Sequence, residues 1–200
     1  MSFNDIAICS RALVRIGAHP IASFNDGSAA AEIAGMLYAG VRDALLAAYG
    51  WGFAVKDAAL TRLADPPSAE FDYGFQLPND FLRALKISTA AIGGGLGGGF
   101  GDGGAASPYQ IRGQNLLCSA EQVRLTYIYQ VEEETFPPHF VRALTLGLSA
   151  EFCLPITENS ARAEILSKQA DQEFARARQI DAQQDTPNRI TRFSLIDARG

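Results

Sequence analysis

Few residues of this 200-residue chain have the types and spacing that chemistry needs. His19 and His139 are the only histidines, the natural proton carriers near neutral pH. Each stands beside a proline with no local Asp-His or Cys-His pattern, so both read as loop or capping residues. Glu132-Glu133-Glu134 offers carboxylates for glycan hydrolysis, but such a pair must face across a cleft and adjacent residues give no reason to expect that. A solvated acidic loop is the simpler reading. Gly99-Phe100-Gly101-Asp102-Gly103-Gly104 matches Gly-x-Gly-x-x-Gly, yet it adjoins Gly93-Gly94-Gly95-Leu96-Gly97-Gly98, where nearly any glycine pattern would match. A dinucleotide-binding turn follows a strand and opens a helix, whereas Ala105 to Pro108 lead into a strand. The stretch reads as a flexible hairpin loop. Cys9, Cys118 and Cys153 are odd in number and far apart, which fits small core residues better than disulfides or a thiolate metal site. No catalytic, cofactor or metal site is expected from these residues. Arg42-Asp43 and the alternating charges Arg162, Glu164, Lys168, Asp171, Glu173, Arg176 and Arg178 read as exposed helix faces that an oligomer could convert into intersubunit pairs.

Composition sets the frame for these residues. With 48% hydrophobic and 20% charged residues the chain can build one core, or a core with a small appendage. A net charge of −5 has the wrong sign for gripping a nucleic-acid backbone, although double-stranded DNA could pass nearby. The N-terminus shows no basic stretch followed by an apolar run, and no segment is expected to reach the ~20 apolar residues of a membrane span. A cytoplasm-like setting is expected.

The elements follow from periodicity. Ile6, Cys9, Leu13 and Ile16 recur at helical spacing over about 3–16, with Ser2 and Asp5 resembling a capping box. Gly17 and Pro20 stop that helix, and Ser28 is a candidate N-cap for a second, whose stripe is Ile33, Leu37, Val41, Ala44, Leu45 and Ala48. Short β-branched and aromatic runs punctuated by Gly, Pro, Asn and Asp then give strands at about 53–63, 74–77, 82–88, 109–111, 116–118 and 123–131. Helical period returns with Phe140, Leu144, Leu148 and Phe152, breaks at Pro155, and resumes near Thr157-Glu158 through Leu166, Phe174 and Ala177. The expected fold is therefore α+β, mainly α, in which the N- and C-terminal helix pairs form a four-helix bundle and a central antiparallel β insert projects as a small sheet. Its parts are a first bundle half at 1–50, a β-rich insert at 51–135 with a Gly-rich loop at 93–104, a second bundle half at 136–185, and an extended C-terminal arm at 186–200.

Several runs taken together resemble a family. They include Ala12-Leu13-Val14-Arg15-Ile16-Gly17, Pro20-Ile21, Ser23-Phe24-Asn25-Asp26-Gly27-Ser28, Val41-Arg42-Asp43 and Trp51-Gly52-Phe53-Ala54. Phe75-Gln76-Leu77-Pro78-Asn79-Asp80-Phe81-Leu82-Arg83, Phe136-Pro137, Pro155-Ile156-Thr157 and Asp181-Ala182-Gln183-Gln184 continue them. Their order and spacing over nearly the whole chain are similar to podovirus tail tubular protein A, the phage head-to-tail adaptor family that docks on the portal. The resemblance implies a virion structural protein at the head-tail junction, made in the host cytoplasm. It implies a ring of identical subunits, dodecameric in that family, between portal protein and tail nozzle or stopper protein, with transient passage of double-stranded DNA and no membrane partner. Within that frame Phe193, Leu195, Ile196 and Arg199 of the arm are the expected portal-docking residues, and Leu96, Phe100 and Asp102 the expected contacts to the tail side or a neighbour. Two readings from other classes stay open: a tail-associated polysaccharide-degrading enzyme and an unrelated protein-binding module.

Overall fold

The architecture comes from a computed structural model that describes residues 4–64, 70–89 and 108–184. Helix α1 (Asp5–Arg15) is capped by Asn4, whose side chain accepts from Ala7 N at 2.8 Å, rather than by Ser2. It ends at Gly17, whose φ of 84° is open to glycine without strain. The following loop is pinned to α1 because Ser10 Oγ donates to Ile21 O at 3.0 Å and accepts from Ile21 N at 3.2 Å. Ser28 caps helix α2 (Ala29–Ala48) as expected, accepting from Ala31 N.

Strands β1 (Val55–Ala59), β2 (Thr61–Arg62), β3 (Tyr73–Gln76), β4 (Phe81–Thr89), β5 (Tyr109–Arg112), β6 (Asn115–Cys118) and β7 (Val123–Tyr129) follow, then helices α3 (Pro138–Thr157) and α4 (Ser160–Ala182). The strands form two antiparallel sheets, ordered β1-β7-β4 and β2-β3-β6-β5.

The expected bundle with a small projecting sheet is not what the chain builds. First, α3 is a hub that packs against α1, α2 and α4, while α4 packs chiefly on α3 alone. The reason is the narrow apolar stripe of α4: Leu166 and Ala177 are buried, but Ile165 is 57% exposed and the other buried positions are Glu173 and Asp181. Second, there are two sheets, and the first is part of the helical core. Strand β7 buries Val123, Leu125 and Tyr127 against the second sheet and Ile128, from its opposite face, against the helices, so one strand joins two cores. Val55, Leu82 and Tyr129 pack beside Ile128.

Three local expectations also change. The fully buried face of α2 is Ala31, Ala34, Tyr38 and Leu46, whereas Ile33, Leu37, Val41 and Leu45 are half-buried and Ala44 and Ala48 exposed. An alanine-rich helix is apolar on more than one side, so periodicity alone could not choose. Helix α3 runs through Pro155, which sits in its last turn where the carbonyl it leaves unbonded belongs to exposed Glu151. It stops at Glu158, in a left-handed conformation with φ 52°, and Asn159 caps α4. Finally, α3 is long and apolar enough to cross a membrane by length and composition, contrary to the sequence expectation. In this fold it is the central core helix, with Phe140, Leu144, Leu148 and Phe152 wholly buried.

Candidate functional site

Several of the residue types that could carry chemistry are used structurally, whereas His19 is exposed in the loop after α1. Burial, with the Asp5 carboxylate nearby, pushes the Cys9 thiol up to about 12, and burial raises Cys118 as well, so neither offers a ready thiolate. Cys153 is buried too. Among the described residues no group of histidine, cysteine and carboxylate side chains could hold a metal ion.

His139 is the informative histidine. It enters α3 next to Pro138, and its Nε2 lies 3.5 Å from Asp181 Oδ1 near the end of α4, with both side chains more than nine-tenths buried. The other oxygen of Asp181 accepts from Gly52 N at 3.0 Å. Trp51 covers the junction, fully buried, with Nε1 donating to Leu45 O at 2.9 Å and its ring meeting Tyr49, Phe53, Phe140 and Phe174. In nucleophilic catalysis a histidine and a carboxylate activate a neighbouring hydroxyl or thiol. The adjacent 460 Å³ cleft is lined by Tyr49, Gly50, Gly52, Val55, Asp181, Ala182 and Gln184, so that among the described residues the phenol of Tyr49 is its one hydroxyl and no serine, threonine or cysteine reaches it. The arrangement ties three elements together: the start of α3, the end of α4 and the entry to β1.

The acidic run is only partly a solvated loop. Glu132 and Glu134 are exposed, but Glu133 accepts from Arg42 Nη1 at 2.8 Å and from the Tyr38 hydroxyl at 3.1 Å. Arg42 also pairs with Asp43 at 2.9 Å and is not the exposed helix residue its sequence neighbourhood implied, its side chain being 14% exposed. Burial pushes the Glu133 carboxyl up, but Arg42, its own backbone N–H and Tyr38 outweigh this and hold it below the usual carboxylate range. Burial and the neighbouring Glu133 push the Tyr38 hydroxyl well up. This cluster clamps α2 to the turn before α3.

What remains as a functional surface is the pair of flanks left open because α4 does not close a bundle. On one side a groove of about 630 Å³ between α1 and α3 has an apolar floor of Val141 and Leu146, exposed Val14, and a rim of Arg11, Arg15 and Arg142. It continues into a second hollow that reaches Arg176 of α4. Arg142 pairs with Glu173 at 2.9 Å, and Arg162 Nη2 donates to Arg15 O at 3.0 Å, extending the basic strip. On the other side a groove of about 320 Å³ runs between α2, α3 and α4, over Val41, Ala44, Leu45, Ala143, Gly147 and Phe174. Its charged lining is Glu151 and Asp171, and among the described residues neither carboxylate makes a hydrogen bond or ion pair. The α3–α4 ridge thus has one basic and one acidic flank, both with apolar floors. Sequence reading missed the segregation because Arg142, Glu151, Asp171 and Arg176 look like ordinary alternating charges until the helices are placed.

The residues expected to dock on a portal, Phe193, Leu195, Ile196 and Arg199, and those expected at the tail side, Leu96, Phe100 and Asp102, all lie outside the described residues. Compared with known proteins, the chain matches no family model and no curated protein sequence.

Proposed function

We propose that this protein is a structural head-to-tail adaptor of a tailed bacteriophage or phage-like particle, forming a closed ring between portal and tail nozzle through which DNA passes. The observation that carries the reading is the pair of unlike flanks on the α3–α4 ridge, arginine-rimmed on one side and carboxylate-rimmed on the other. A ring repeats one heterologous contact around an axis, so each subunit must present two different, mutually complementary faces. A two-fold dimer would call for one self-complementary face instead. The spread of residue runs similar to tail tubular protein A supports the same reading, as does the structural use of His139, Glu133 and the cysteines. Mixing the protein with the portal protein of its own genome and weighing the product tests it: a complex holding many copies is expected, and its failure to form at any ratio would count against the role.

A further inference from the structure

We infer that the arginine-rimmed groove between α1 and α3 receives the outer crest of helix α2 from a second copy of this chain. This contact rests on the ring reading and names the element that makes it. The groove has an apolar floor of Val141 and Leu146 between two basic banks, with Arg11 and Arg15 of α1 on one and Arg142 and Arg176 on the other. Arg142 holds Glu173, yet its side chain stays 64% exposed on the bank. An occupant that matches such a groove is an apolar ridge with a carboxylate on each shoulder.

Helix α2 carries that ridge. Ala29, Met36, Gly40 and Ala47 fall along its outer line, and Met36 is 67% exposed. Exposed Glu32 stands on one shoulder, and Glu151 and Asp171 lie beyond the other, across Ala44. Among the described residues no hydrogen bond or ion pair engages these three carboxylates. The one base of α2, Arg42, is turned inward and paired with Asp43 and Glu133, so the crest brings no charge that the groove would repel. Lengths agree as well: the crest from Met36 to Ala47 runs about 16 Å, and the groove from Pro138 to Leu146 about 12 Å before it continues toward Arg176.

Gly40 points the same way without charge. A glycine weakens a helix interior and serves where another group must come close. The other interior glycines of the described helices pack within their own chain, since a Cβ added at Gly35 would meet Phe24 at 3.6 Å and one at Gly147 would meet Val41 at 3.7 Å. A Cβ at Gly40 would meet nothing within 4 Å, so the fold of one chain gives this glycine no use. On the crest it lets the floor of a neighbour's groove approach the helix backbone.

The test oxidises full chains carrying Val14→Cys, Met36→Cys or both, on the portal complex and in concentrated free protein, where the three native cysteines are buried. The two single variants mixed are expected to give a dimer joined between positions 14 and 36, and the double variant a ladder of multimers. Either single variant alone should give nothing above the parent. Gly40→Phe, whose Cβ enters open space, should keep the parent's denaturant midpoint and lose the ring, whereas Gly40→Ala should keep both. Dimers from one single variant alone, crosslinks from position 14 to the portal protein in place of a second copy, no crosslink in either setting, or full rings from Gly40→Phe would each overturn the contact. The mass of the portal complex scores the ring reading separately. A full ring without the crosslink sinks the contact alone, and a ladder in free protein with no portal complex sinks the adaptor role alone.

Discussion

The helical half and the four-stranded sheet bury their apolar residues equally well but enclose them differently. Around Trp51, four other aromatic rings and the His139 imidazole lie with centroids 5.1 to 6.3 Å away, closed in by three helices and the first sheet. The second core gathers Phe75, Leu77, Leu116, Cys118, Leu125 and Tyr127 between two thin sheets, and its edge strand β5 is exposed at every position. A region wrapped on all sides is over-determined and rigid, while a sheet with an open edge owes its order to the strand that joins it to the rest. Here that strand is β7, shared by both cores. The contrast places the rigid platform under the two charged flanks and leaves the second sheet as the more adaptable part.

Substitutions should separate the two halves, beginning with the largest effect. Trp51→Ala should cost roughly 3–5 kcal/mol in denaturant unfolding, because it removes the centre of the aromatic cluster and leaves a cavity. Leu144→Ala, on the hub helix, should cost roughly 2–5 kcal/mol. A loss below about 1 kcal/mol for either would show that the helical half is not the rigid one.

Next comes the Arg42 clamp. Glu133→Gln leaves a mostly buried guanidinium with Asp43 as its one remaining carboxylate partner and should cost about 1–3 kcal/mol near neutral pH. Since the folded Glu133 carboxyl titrates below its ordinary value, its stabilisation is present above the unfolded value and lost as pH falls through the folded one. The variant should therefore lose less stability on acidification than the parent does, as read from denaturant midpoints across the acid range. Smaller again is Leu37→Ala, half-buried on α2, at about 1 kcal/mol. Ile111→Ala on β5, where the residue is 37% exposed, should fall within about 0.5 kcal/mol. If Ile111→Ala proved costlier than Leu37→Ala, the second sheet would be held more firmly than its open edge implies.

Local elements were legible in the sequence because local rules govern them. Ser28 announced its cap, the stripe from Phe140 to Phe152 announced its buried face, and the alternation from Val123 to Tyr127 announced its strand. What could not be read was how faces are shared. Ile128 shares the face of β7 that carries Arg124 and Thr126, and that one apolar residue was the available sign that the strand is covered on both sides. The α2 stripe was right in part, since Ile33, Leu37, Val41 and Leu45 pack against the helical core, but the most buried face runs through Tyr38, whose hydroxyl reaches Glu133 across the fold. Arg42, His139 and Asp181 were hidden for the same reason: their partners are distant in sequence, and no local spacing records them. The opposed flanks emerge only when α4 is seen to pack on α3 alone.

The central claim is that the basic and acidic flanks meet between copies in a ring on the portal. The direct measurement is the mass, with electron microscopy, of the portal complex formed by the parent, by R142E, by E151R/D171R, and by the two variants mixed. The parent is expected to give a closed ring seated on the portal, each variant alone to give incomplete occupancy, and the mixture to recover assembly through alternating reversed contacts. Full rings from both variants alone, or no complex from the parent, would contradict it.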